Sequence, residues 1–392
     1  MSATPRETGH DSRLDLVQAR AARLGTTLSG SPYDALVLTS AEAVDYATGY
    51  RSVAGQLHSA YGIAAVVTSD RTLLVVPAAD TAPAIDGLFP SEDVVPYGRF
   101  YFAGAGPAAS MSDRHASYAA AVASALETIQ PGSIAVEGNP AAQFAGIWSS
   151  GRQVDDATEW MLGLRAVKLP AEQGLLRRAA ELAEDGIEAA LAIAKPGVTE
   201  RQLAAAVATA MVAGGALPRF VVVAAGARSA LADAFPTDNA CAPGDLVRFD
   251  VGCQLEGYWS DIARTAVVGR PTPLQQSRYD ALLAGLEEEL RVARPGVPAG
   301  EVFDAAVGAV QRGGLSPYRR HHAGHAIGLS VYEAPVVRPD EVTNMSTGMV
   351  FCLEMPYYEL GWGGMMVEDT GVVTEDSFEL FTSIDRSLRV VG

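Results

Sequence analysis

Hydrophobic and polar positions fall into two regimes along this chain. Up to about residue 155, short apolar runs alternate with helical patterns. Residues 14–24 and 117–126 carry helical spacing, while 34–40 and 133–138 read as strands. Residues 41–49 read as a short helix stopped by Gly49, and 62–79 as two β-branched runs around Ser69, Asp70 and Arg71, a hairpin pattern. Residues 102–110 are rich in Gly and Ala but lack the spacing of a phosphate loop, so a plain loop is expected. The alternation predicts a first α/β domain over 13–155, behind a polar, disordered lead over 1–12.

From residue 156 onward the helical stretches lengthen. One covers 171–194 and is closed by Lys195, Pro196 and Gly197. Thr199 and Gln202 then form a capping box for a helix running to 213, and further helices are expected over 273–292 and 302–312. Strand patterns occupy 220–226, 245–252, 258–269, 348–358 and 364–373. The second domain, 156–392, thus reads as α+β, and no repeat is obvious at fixed period.

Composition narrows the classes. The chain has 392 residues, 48% hydrophobic and 19% charged, enough for two or three well-packed domains and against disorder. With 29 basic and 46 acidic residues the net charge is −17, which excludes nucleic acid and anionic membrane surfaces as partners. Three cysteines, Cys241, Cys253 and Cys352, suit a reducing compartment. The polar N-terminal stretch has no apolar core of a signal peptide, and no apolar run reaches the ~20 residues of a membrane span. A soluble cytoplasmic protein is expected.

The chemistry lies in carboxylates set where carboxylates are costly. Asp250 and Asp261 sit in apolar strand sequence, and a turn around 254–257 brings them onto neighbouring strands. Glu354 and Glu368 are embedded likewise. Half of the six histidines, His321, His322 and His325, crowd into five positions beside glycines. Four carboxylates and one imidazole make an oxygen-rich donor set, suited to two Mn, Co, Fe or Zn ions rather than a thiolate zinc site. Four negative charges match two divalent ions; without metal, some of these carboxyls must be protonated to stay buried together.

The order of these motifs resembles a known family. An Asp, ten residues and a second Asp are followed by GHAIGL at 324–329, EMP at 354–356 and VEDT at 367–370. This resembles the pita-bread metallopeptidases, that is Xaa-Pro aminopeptidases, prolidases and methionine aminopeptidases. Residues 13 to about 155 resemble the creatinase-type N-terminal domain of the longer members. The resemblance implies that Asp250 is a terminal ligand of one metal, that Asp261 and Glu368 bridge two, and that His325 and Glu354 hold the other. It implies two divalent ions per subunit, with Mn the expected ion and Co, Fe or Zn suited too, and a small peptide or small amide-like substrate. It implies hydrolysis of a C–N bond by a metal-bridging hydroxide, with Glu354 moving the proton, and a homodimer. His321 falls where the family often has a substrate-facing histidine, whereas His322 reads as structural or solvated.

Three positions depart from that pattern. Tyr332 stands seven residues after His325, and Asp233 seventeen before Asp250, where the family has histidines that meet the substrate carbonyl. Met366 stands two residues before Glu368, where prolidases have an anchoring arginine. Tyr332 can still donate to an oxyanion. Asp233 favours a cationic or donor group, and Met366 argues against a substrate carboxylate. Beside a peptidase, two alternatives therefore stay open. One is a same-fold enzyme for a non-peptide small molecule, as creatinase, ectoine hydrolase and dimethylsulfoniopropionate lyases are. The other is a non-catalytic binding protein.

Overall fold

The computed structural model describes residues 5–58, 61–87, 89–111, 113–138 and 154–392, with side chains from residue 13 onward. The chain divides into two compact units, Met1–Leu164 and Arg165–Gly392.

The first unit is built on one mixed sheet. Its strands are β1 (Ala35–Leu38), β2 (Ala64–Val67), β3 (Thr72–Pro77), β4 (Val94–Tyr97), β5 (Ile134–Glu137) and β6 (Val154–Asp156), in the order β4-β3-β2-β1-β5-β6. The hairpin expected over 62–79 is the antiparallel β2–β3 pair. The short helix Ala41–Thr48 ends at Gly49, whose φ of 69° is a left-handed cap that other residues adopt at a cost. The first helix is longer than the sequence pattern indicates. It spans Pro5–Ser29, so 5–12 are helical rather than a disordered lead, and 1–4 lie outside the described residues. This segment is polar and lacks an apolar stripe of its own, which is why periodicity missed it.

The second unit holds two five-stranded sheets. One contains β7 (Leu217–Ala225), β8 (Leu246–Leu255), β9 (Tyr258–Trp259), β10 (Ile262–Val268) and β16 (Arg389–Val391). The other contains β11 (Gly324–Ala326), β12 (Glu333–Val336), β13 (Val350–Glu359), β14 (Gly363–Val373) and β15 (Phe378–Leu380). Helices Pro170–Ile193 and Glu200–Ala213 share a core with the first sheet, and helices Pro273–Val292 and Ala299–Arg312 share one with the second.

These two halves are copies of one plan, which the sequence reading overlooked. Ala194-Lys195-Pro196-Gly197-Val198 recurs 99 residues later as Ala293-Arg294-Pro295-Gly296-Val297. In both, the glycine has φ near 85–90° and joins a long helix to one of 14 residues. Both second helices end in a glycine pair whose second member is left-handed, Gly215 and Gly314. A single repeat separated by 99 residues has no shorter period to reveal it.

Strand parity explains the embedded carboxylates. On β8, Val247, Phe249, Val251 and Cys253 face the helices, so Arg248, Asp250 and Gly252 occupy the opposite face. On β13 and β14, Phe351, Leu353, Met355, Met365 and Val367 face their helices, leaving Cys352, Glu354, Met366 and Glu368 on the other side. The two faces meet. Thr265 Oγ1 on β10 donates to Met366 O on β14 at 2.9 Å, and the Arg248 guanidinium lies 5.2 Å from the Tyr358 ring centre.

Candidate metal centre

Each predicted ligand is aimed by its strand. The β8–β9 turn uses Glu256 and Gly257 at φ 47° and 93°, the left-handed pair of a tight hairpin. Its register pairs Asp250 with Ala263 and places Asp261, just before β10, on the same face. The Asp261 carbonyl accepts from Thr370 Oγ1 at 2.7 Å, which fixes its backbone. Glu354 and Glu368 are direct cross-strand partners, and His325 pairs with Cys352, two residues from Glu354. Gly324 is required there, because its φ is 146° and a Cβ would come within 2.3 Å of the Cys352 carbonyl.

Three of the five converge tightly. Asp261, His325 and Glu368 are buried and offer ligand atoms all within 4.8 Å of one another. Both Glu368 carboxylate oxygens lack a hydrogen-bond partner among the described residues, although the side chain is 1% exposed. A buried carboxylate without donors is what a cation would satisfy. Burial, followed by the charges of Asp261, Glu354 and Asp250, pushes the Glu368 carboxyl well up, and burial pushes Asp261 up against the pull of His325. These residues fit a divalent ion.

Asp250 and Glu354 stand beside that cluster, each held by a cation. Arg248 Nη1 donates to Asp250 Oδ2 at 2.8 Å, while its other nitrogens donate to the carbonyls of Ser229, Leu231 and Ala232. Burial raises Asp250 to about 7 despite Arg248, helped by the charges of Asp261, Glu354 and Asp233. For Glu354, burial alone would raise the carboxyl. The hydrogen bond from His322 Nε2 at 2.6 Å, with the charges of His322 and Arg320, holds it below the usual range.

The remaining predicted residues share one cavity of about 580 Å³. Asp233, His321, Tyr332 and Met366 all line it, with Asp250, Asp261 and Glu354. The Tyr332 ring stacks on His325 at 3.8 Å between centres, and burial and the nearby carboxylates keep its hydroxyl protonated. The histidine pair is arranged differently from the sequence reading. His322, expected to be structural or solvated, is the one that reaches Glu354, while His321 is exposed and rests against the His322 ring.

Sequence reasoning also missed Glu333. It is buried on β12 and paired with Arg165 and with Lys168 at 2.8 Å, which offsets its burial and lowers its carboxyl to about 2. It accepts from Ser330 N at 3.3 Å, so it braces the segment that carries Tyr332. Arg165 lies near the end of the helix Thr158–Ala166 and Lys168 just after it, and nothing in their spacing pointed to a residue 168 and 165 positions away.

Comparison with known proteins agrees with this architecture. The model of metallopeptidase family M24 matches residues 174–375, and the creatinase/prolidase N-terminal domain matches 20–167. The chain is 33% identical to an Xaa-Pro dipeptidase of Pyrococcus furiosus over 239 residues, 60% of this chain and 68% of that protein. It is 31% identical to an Xaa-Pro dipeptidase of Lactobacillus helveticus over 240 residues, 60% of this chain and 65% of the relative. Among solved structures, prolidase from Pyrococcus furiosus superimposes with a TM-score of 0.75 at 25% identity, covering 92% of this chain and 100% of that one. A dipeptidase from Mycobacterium ulcerans gives 0.78 at 28% identity, covering 96% and 98%. The chain belongs to metallopeptidase family M24, a family of metal-dependent hydrolases, and carries the creatinase/prolidase N-terminal domain.

Proposed function

We propose that this protein is an Xaa-Pro dipeptidase holding two divalent ions, Mn foremost, on Asp250, Asp261, His325, Glu354 and Glu368. The buried Asp261–His325–Glu368 cluster, with both Glu368 oxygens unpartnered among the described residues, carries this reading. A binding module has no use for such a cluster, which is costly without a cation.

Bound divalent ions supply Lewis acidity and a water acidified toward neutral pH. The chain's own groups do the rest. Hydrolysis adds hydroxide to the amide carbon, breaks the C–N bond and puts a proton on the leaving nitrogen. Glu354, kept ionised by His322, takes the water's proton and returns it to that nitrogen. Tyr332, held protonated, donates to the oxygen that gains charge. Asp233 faces the substrate's amino group from the cavity wall.

We place the enzyme in the cytoplasm, in keeping with three free, buried cysteines. No helix among the described residues is long and apolar enough to cross a membrane. We further propose a homodimer through the first unit, where Val53, Leu57 and Tyr101 are 68%, 81% and 69% exposed. Light scattering at micromolar concentration tests it, and a monomer contradicts it.

The test of function is turnover of Xaa-Pro dipeptides by Mn-loaded protein beside a panel of small non-peptide amides. Cleavage of the dipeptides supports the peptidase. Cleavage of the small amides alone gives the site to the non-peptide alternative.

A further inference from the structure

We infer that Arg320 is the specificity residue that binds the substrate's terminal carboxylate and limits the enzyme to dipeptides. The inference rests on the peptidase reading above. Position 366, read alone, argues against a carboxylate, since Met366 offers no charge. The same cavity is nevertheless lined by a guanidinium from a different element, Arg320 in the segment before β11.

The other cations nearby are already engaged. Arg248 is fully buried and outside the cavity lining, with its donors spent on Asp250 and three backbone carbonyls. Arg219 binds Gln254 Oε1 through two nitrogens and lies 5.5 Å from the centre of the Trp259 ring. His322 is committed to Glu354.

Arg320 is different. Its Nε donates to His322 O at 3.3 Å, which orients the guanidinium, and its Nη2 lies 3.4 Å from Glu354 Oε1, a long contact. Nη1 makes no hydrogen bond among the described residues. The side chain is 12% exposed, so the charge is partly desolvated yet reachable from the cavity. A planar guanidinium with donors to spare matches a carboxylate.

Its place sets the substrate's length. Arg320 reaches Glu354, the group that moves the proton at the scissile bond. In a dipeptide a single residue separates that bond from the carboxylate. Each added residue carries the carboxylate about 3.5 Å further away. Asp233, on the wall near Asp250, would meet the opposite, cationic end. Asp233 and Arg320 thus stand for the two ends of a zwitterion in the same cavity.

The experiment compares an Xaa-Pro dipeptide, its C-terminal amide and the Xaa-Pro-Xaa tripeptide, using Mn-loaded wild type, Arg320→Met and Arg320→Lys. A charged hydrogen bond of this kind corresponds to roughly 10- to 100-fold in binding. Wild type is expected to favour the dipeptide over its amide and over the tripeptide by at least that factor. Arg320→Met should erase the preference by raising KM for the free acid roughly 10- to 100-fold more than for the amide, while loss of its charge beside Glu354 lowers kcat for both substrates alike, and Arg320→Lys should restore part of the preference. An equal rise in KM for acid and amide, or an unchanged preference, overturns the inference. Calorimetric binding of the same dipeptide and amide separates this from failure of the peptidase reading. If wild type turns over neither, an acid preference in binding that Arg320→Met removes still supports the anchor, and its absence overturns it.

Discussion

Glu354 and Glu368 stand directly opposite each other in the β13–β14 pair, two buried carboxyls 5% and 1% exposed. Like charges so placed repel, and a divalent ion between the sheets removes the cost. Glu368→Gln should therefore raise the melting temperature of chelator-treated protein at pH 8, and should weaken the increase that Mn produces in wild type. At 100-fold saturation that increase corresponds to about 2.7 kcal/mol. Loss of stability in metal-free Glu368→Gln would count against a repulsive pair.

Asp250, raised to about 7 by burial, makes metal-free stability depend on pH. Its folded value lies above the ordinary value near 4, so the folded state holds the extra proton and stability falls as pH rises between those two values. Chelator-treated wild type should lose stability relative to Asp250→Asn from pH 4 to pH 7. A difference that stays flat over this range contradicts the assignment.

Glu333 gives the opposite slope. Its carboxyl is lowered to about 2, so its contribution is complete above the ordinary value near 4.5 and disappears as pH falls toward 2. Glu333→Gln leaves Arg165 and Lys168 facing a neutral group in a buried site. It should cost about 3–5 kcal/mol at pH 7, measured by urea unfolding, with the gap from wild type narrowing below pH 4.5. An equal gap at every pH would show that the ion pairs are not its source.

His322 holds Glu354 ionised, so removing it should raise the Glu354 carboxyl. The acidic limb of the kcat/KM profile of His322→Gln should move to higher pH, whereas His321→Gln should leave that limb where it is. A shift in His321→Gln alone would return the role to the exposed histidine.

The carboxylates were legible because Asp and Glu inside apolar strands break a strong local rule, and parity then turns them all to one face. The helices of the second unit were legible from periodicity and capping, the Thr199–Gln202 box among them. What escaped were pairings decided by distant contacts. His321 and His322 are neighbours in sequence, the resemblance favoured His321, and only the fold turns His322 inward to Glu354. Arg248 looks like an error in an apolar strand until three carbonyls and Asp250 surround it. Arg320 could not be weighed against Met366, because the two lie 46 positions apart and share only the cavity.

The central claim is that the Asp261–His325–Glu368 cluster holds the metal. Titration of chelator-treated protein with Mn, followed by calorimetry and metal analysis, tests it most directly. The account predicts two ions per chain in wild type and loss of stoichiometric binding in Asp261→Ala, with that variant still folded by circular dichroism. Mn binding that is absent from wild type, or unchanged in Asp261→Ala, would contradict it.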